Sequence, residues 1–230
     1  MVRTYECLVA DTTRVMNRIK ALFRSRGIAC AGHDVYRQDR REQWLEKLDE
    51  RGVRARAESL YQQLAVLKEL RHVARQRMLT ESRQHKAYKL LMEVPKLGQV
   101  RVAQVIATVD TPHRFRTKRQ FWAYLGLAVV MRTSAEYRMI GQAVQKIKRA
   151  PATRGLNTNH NHRLKGVFKA AATSACASEP FVQQYEALLA QGIDPTLARL
   201  TVARKLAAIT LAIWKRGESF DAERMMKQAA

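Results

Sequence analysis

A serine lies between two arginines in the stretch Arg132-Thr133-Ser134-Ala135-Glu136-Tyr137-Arg138. Such a hydroxyl can attack phosphorus when a base takes its proton, and guanidinium groups can meet the charge that builds on the phosphate oxygens. An arbitrary serine carries little weight by itself. Ser134 becomes a candidate only if its surroundings are built for a phosphate polymer.

Three neighbouring features have that character. The run from Leu90 to Ile106 reads helix, tight turn, helix, with apolar residues at Leu91, Val94, Leu97, Val102 and Ile106, and it resembles a helix-hairpin-helix. In such a motif a glycine, here Gly98, lets the backbone approach a phosphate, and Lys96 and Arg101 add charge; the plain alternative is a hairpin that only packs. The segment from Arg132 to Lys169 holds nine cations, Arg132, Arg138, Lys146, Lys148, Arg149, Arg154, Arg163, Lys165 and Lys169, against one acid, Glu136. If half of these touched phosphates, log affinity would fall with log salt by roughly 0.9 per contact; a solvated loop in a basic protein is the alternative. Inside it, the polar run from Gly155 to Lys165 feeds a helix carrying Leu164, Val167, Phe168, Ala171 and Ala175 inward. Asn159, Asn161 and Arg163 at that helix entrance suit a phosphate, while asparagines there also satisfy orphan amides. His160 and His162 stand two apart with no cysteine or acid beside them, which makes a poor metal site and leaves the metal assignment at none.

The elements that must position these groups read as helices. The chain has 230 residues with only five prolines and ten glycines, and 42 Lys plus Arg against 20 Asp plus Glu give a net charge of +22. That excess repels itself until a polyanion neutralises it, and nucleic acid is the commonest polyanion. Three scattered cysteines, Cys7, Cys30 and Cys176, form neither a disulfide framework nor a zinc module, and fit a reducing cytoplasm. The longest apolar stretch, Leu206 to Trp214, is far too short to span a bilayer, and the basic amino terminus lacks the apolar region of a signal peptide. Val15, Ile19 and Leu22 form the stripe of a first helix ending at Gly27. A second, from about Asp39 to Glu50, turns Trp44, Leu45 and Leu48 inward and Glu42, Glu46 and Asp49 outward, an acidic face laced with Arg40, Arg41 and Lys47. From Arg54 to Met92 no proline or glycine interrupts the stripe of Leu60, Leu64, Leu67, Ala74 and Met78, which predicts a rod of roughly 55 Å needing a partner helix, either the first helix or a second subunit. Beyond it the helices are shorter and capped. Thr117 with Gln120 forms a capping box, Ser178 caps a stretch with Phe181, Tyr185 and Leu188, and Asp194-Pro195 opens the last helix.

Residues from about 88 to 220 resemble the carboxy-terminal domain of the IS-one-ten family of insertion-sequence transposases, also called DEDD transposases or bridge-RNA-guided recombinases. The stretches that carry the resemblance occur in the family's order: Val94 to Gly98, Arg114 to Leu127, Arg132 to Glu136, Thr153 to Asn161 and Ala198 to Leu206. The first helix, Leu8 to Lys20, is similar to the family's linker and the long rod to its coiled coil. The resemblance implies that Ser134 attacks DNA and becomes covalently joined to it, although many members have a glycine pair after the serine where this chain has Ala135-Glu136. It also implies an amino-terminal RuvC-like domain whose four acids hold Mg²⁺. That domain would precede Met1, so the chain by itself is expected to bind nucleic acid but to recombine it poorly.

The expected fold is all-α or mainly α, a long coiled-coil helix followed by a compact helical domain with a helix-hairpin-helix, short strands being allowed near 128–140. The expected division is 1–87 for linker helices and a dimerising coiled coil, 88–220 for the DNA-binding transposase domain, and 221–230 for a tail. The expected partners are DNA, guide RNA and a second subunit, with no membrane, no cofactor held by this chain itself and a cytoplasmic, nucleoid-associated location. The nucleic-acid-binding candidates are Lys96, Gly98, Arg101, Arg132, Arg138, Lys146, Lys148, Arg149, Arg154, Asn159, Asn161, Arg163 and Lys165, and the catalytic candidate is Ser134. The competing reading is a non-catalytic DNA- or RNA-binding module, a truncated relic or regulator.

Overall fold

The computed structural model describes residues 1–132, 135–140, 143–148 and 152–222. The fold is mainly α, with four short strands among the described residues, and divides into two compact units, Met1–Glu81 and Ser82–Ala230. Among the described residues no helix is long and apolar enough to cross a membrane.

The first unit is built on α1 (Val2–Arg24), α2 (Arg41–Leu45) and the long α3 (Arg51–Arg83). The apolar stripe of α1 buries Val15, Ile19, Leu22 and Phe23 in one cluster with Trp44, Leu45 and Leu48 and with Ala57, Tyr61 and Leu64 of α3. The first helix therefore covers the start of the rod. Tyr61 is sealed in this core, and its hydroxyl donates to the Val35 carbonyl at 3.0 Å. Burial pushes its pKa up, since an ionised phenolate there would lose its water. The second helix is shorter than its apolar spacing predicts: a 3-10 turn at Gln38–Arg40 leads into the five residues of α2, and Leu48 is buried from the turn that follows. Glu42, Glu46 and Asp49 are all exposed, and Glu42 reaches Arg54 at 3.5 Å, as a solvated ionic face would.

The rod is shorter than its proline-free sequence suggests. It ends at Arg83 rather than continuing to Met92, the chain turns as the His85 amide donates to the Ser82 carbonyl, and α4 (Tyr88–Met92) starts afresh. Helix propensity is continuous across this point, but Ala87, Tyr88 and Leu91 are claimed by the core of the second unit. Tertiary burial outweighs the few tenths of a kcal/mol per residue that propensity supplies.

That core is formed by α4, α5 (Gly98–Val109), α6 (Lys118–Tyr124), α7 (His162–Ala175), α8 (Val182–Ala190) and α9 (Pro195–Arg216). The apolar positions Leu91, Val94, Leu97, Val102 and Ile106 are all buried, so the hairpin is packed as its spacing requires. Helix α9 runs through the middle with Val202, Ala203, Leu206 and Ala207 buried, capped by Asp194, whose Oδ1 accepts from the Thr196 amide at 2.7 Å. Thr117 caps α6 by accepting from the Gln120 amide, while Gln120 Oε1 accepts from Arg116, one residue earlier than a regular capping box. Ser178 does not cap α8. Its hydroxyl turns back to the Ser174 carbonyl at the end of α7, and Phe181 at the cap position is held by burial instead.

Between α6 and α7 lie β1 (Val129–Arg132), β2 (Ala135–Ile140), β3 (Ala143–Lys148) and β4 (Ala152–Leu156). β1 pairs antiparallel with β4, with Arg132 opposite Ala152, and β2 pairs with β3, with Tyr137 opposite Lys146 and Met139 opposite Val144. Entry to β1 depends on Gly126, which has φ +67 and would place any Cβ under 3.0 Å from atoms of the His160 ring. Gly126→Ala should cost about 2–4 kcal/mol, from left-handed backbone strain and overpacking together, read as a lowered denaturant midpoint with an unchanged slope.

Candidate nucleic-acid interface

The α4–α5 turn is closed by its own charges. Lys96 and Gly98 both have φ of 63, and the Arg101 guanidinium donates to the Lys96 carbonyl at 2.8 Å. Lys96 is exposed, as is Gly98, and a Cβ on Gly98 would meet nothing. For a lysine, this left-handed backbone costs on the order of 1–2 kcal/mol, a strain that a packed turn can impose and that is common where a side chain is held out toward a ligand.

The polar run before α7 is a joint. Asn157 donates from Nδ2 to the Ala123 carbonyl at 3.0 Å and to the Asn159 carbonyl at 2.8 Å, while its backbone amide donates to Ala128. Asn159 returns its amide to Asn157 Oδ1 and leaves its own side chain exposed. Asn161 caps α7, accepting from the Leu164 amide at 3.0 Å, and its Nδ2 donates to the Tyr124 hydroxyl. The capping role that asparagines serve at helix entrances is therefore filled by Asn161, and the candidate that faces outward is Asn159. Arg163 is exposed and Lys165 half-buried on the first turn of α7. The His160 and His162 rings lie 4.2 Å apart, yet among the described residues no three His, Cys, Asp or Glu side chains converge as a metal site would need.

Of the strand candidates, Arg132 falls on β1, Arg138 on β2, Lys146 and Lys148 on β3 and Arg154 on β4. Ser134 and its neighbour Thr133, in the connection from β1 to β2, lie outside the described residues, as does Arg149. At the base of the β1–β4 pair, Val129, Gly155 and Leu156 border a cavity of about 490 Å³ whose far wall is α7 and α9, with Lys169, Arg199 and Arg204 as its cations. Sequence reasoning gave Arg199 and Arg204 no role. Their signal was present, since on a helix that buries one face, cations at 199 and 204 follow the boundary of that face. The hairpin turn, the joint and the ribbon belong to the same unit, linked by α5 packing on α7 and by Asn161 bonding to Tyr124.

Residues 88–186 match the model of the Transposase IS116/IS110/IS902 family. The matched segment runs from α4 to α8 and contains the hairpin, all four strands, residue 134 and the asparagine joint. No curated protein matches the chain.

Lys96→Gly should relieve the turn's strain and raise stability by about 1 kcal/mol, a few degrees in Tm, while weakening nucleic-acid binding. Thermal unfolding beside a binding titration separates the two effects, and a Lys96→Gly protein that binds as before would make the lysine a bystander.

Proposed function

We propose that this chain is the rod and DNA-joining portion of an insertion-sequence transposase, acting in DNA transposition or recombination. The match of residues 88–186 to the IS116/IS110/IS902 transposases carries this reading. The net charge of +22 supports it, because a chain so basic needs a polyanion to bring its surfaces together.

In this reading the α4–α5 turn acts as a helix-hairpin-helix. Its left-handed Gly98 admits a phosphate to the backbone, and Lys96 and Arg101 add charge without reading sequence. The ribbon and the start of α7 hold the DNA, or guide RNA, through Arg132, Arg138, Lys146, Lys148, Arg149, Arg154, Asn159 and Arg163. Lys165, half-buried, contributes field more than contact. Ser134 is the nucleophile. Its Oγ bonds to phosphorus as the bond from phosphorus to one sugar oxygen breaks, and the serine proton ends on the sugar oxygen that leaves. The arginines stabilise the charge on the non-bridging oxygens meanwhile. The Mg²⁺ that the family resemblance implies finds no group of three ligands among the described residues, so no step here runs through it. The rod pairs two subunits: Val66 and Leu70, exposed four residues apart on α3, are side chains that a second rod would cover.

Two measurements test this. Titration of a labelled duplex against salt should give a log–log slope of about −4.5 or steeper, as five or more phosphate contacts require. A flat response would reject the nucleic-acid reading. For the serine, the chain is incubated with a duplex carrying its own element's ends, Mg²⁺ and an acidic RuvC-like domain of the family supplied in trans. A denaturant-resistant protein–DNA adduct that Ser134→Ala abolishes and Thr133→Ala preserves is the expected outcome. An adduct that survives Ser134→Ala would transfer the chemistry elsewhere.

A further inference from the structure

A second cavity, of about 520 Å³, opens between the start of α6 and the carboxy-terminal half of α9 and shares Arg204 with the first. Six of its twelve lining residues are cations, Arg116, Lys118, Arg204, Lys205, Lys215 and Arg216, and none is an acid. Its floor is apolar, made by Trp122, Ile209 and Ala212 among others. A cavity that combines a cationic rim with an apolar, aromatic floor is matched by a ligand with an anionic end and a flat apolar body.

Two of the cations, Lys215 and Arg204, are held in place by backbone carbonyls. The Lys215 ammonium is bound to the carbonyls of Phe115 and Arg116, which fixes its charge at the mouth. Arg204 donates from Nε to the Leu127 carbonyl at 2.6 Å, its own carbonyl accepts from the Trp122 indole at 2.9 Å, and its Nη2 is buried without a hydrogen-bond partner in the protein. A guanidinium nitrogen withdrawn from water and left unpaired is costly unless an acceptor arrives. Burial also pushes the pKa of both Arg204 and Lys205 down, because each cation loses part of the water that would solvate its charge. Lys118 sits 5.7 Å from the centre of the Trp122 ring, so charge and aromatic surface adjoin.

We propose that this cavity receives one nucleotide of a single strand, its phosphate met at the rim by Arg116 and Lys118 and its base laid on the floor beside Trp122. Inorganic phosphate would leave the apolar floor uncovered. A duplex keeps its bases stacked inside and could offer only its backbone to the rim. An unpaired nucleotide satisfies both parts, since its phosphate meets the cations and its base stacks on the aromatic side chain. The proposal rests on the nucleic-acid reading of this unit and adds to it a site for unpaired strand.

The test uses the full chain and a fluorescein-labelled single-stranded thymidine 12-mer, with a duplex of equal length in parallel. Arg116→Gln combined with Lys118→Gln should weaken 12-mer binding about tenfold and flatten its salt slope by about 1.4, two contacts at 0.7 each. Arg56→Gln with Arg77→Gln, an equal loss of charge at exposed positions of α3, should change it less than twofold, and both doubles should keep the wild-type Tm. A 12-mer carrying 5-iodouracil should photocrosslink to the peptide containing Trp122. If the two double variants lose affinity equally, if crosslinks fall only outside the cavity, or if thymidine monophosphate binds as tightly as the 12-mer, the proposal is overturned. If the unaltered chain binds duplex but not the 12-mer, only the cavity assignment fails. If it binds neither, the nucleic-acid reading fails and the cavity proposal falls with it.

Discussion

Asn157 and Asn161 decide where the strand ribbon stands on the helical core. Asn157 ties the exit of β4 to the end of α6 through Ala123 and Ala128, and Asn161 fastens the next turn to Tyr124 while capping α7. Each hydrogen bond contributes about 1 kcal/mol net, but together they satisfy backbone groups that would otherwise be stranded at a helix end against a strand. The joint matters because β1 leaves from Gly126 and Leu127 on one side and β4 returns through Asn157 on the other. The β1–β4 pair is thereby referenced to α6 and α7 through these two side chains.

Around this joint the molecule separates burial from charge. Helix α9 buries one face completely and places Arg199, Arg204, Lys205, Lys215 and Arg216 along the edges of that face. Arg204 borders the cavity of about 490 Å³ and the cavity of about 520 Å³ alike, with its carbonyl held by Trp122 and its Nε by Leu127. One helix thus closes the core and sets cations at two openings, and a core mutation that rotated α9 would disturb both.

Much of this was legible in the sequence. The apolar stripe of α1, the buried positions of the α4–α5 hairpin, the caps at Thr117 and Asp194 and the short strands near 128–140 follow from periodicity and local side-chain chemistry. Other features were not, the strands β3 and β4 beyond residue 140 among them. The end of the rod at Arg83 has no proline or glycine to announce it, because burial of Ala87 and Tyr88 sets it from outside the helix. The hydroxyl of Ser178 takes its own preceding turn instead of the next helix, a choice between two local partners that spacing does not make. The cavity cations at 116, 118 and 204 are far apart in sequence, and only the packing of α6 on α9 brings them to one opening. The asparagines were visible as residues but not as a joint, since their partners Ala123 and Tyr124 lie more than thirty positions away.

Amide-resolved hydrogen exchange of the unbound chain reports on the joint most directly. The amides of Asn157 and Asn161, donors to Ala128 and Tyr124, should exchange as slowly as those in the middle of α7. Exchange at the rate of an exposed loop would mean that the ribbon is not anchored to the helical core, and the positioning of the β1–β4 pair by that core would have to be abandoned.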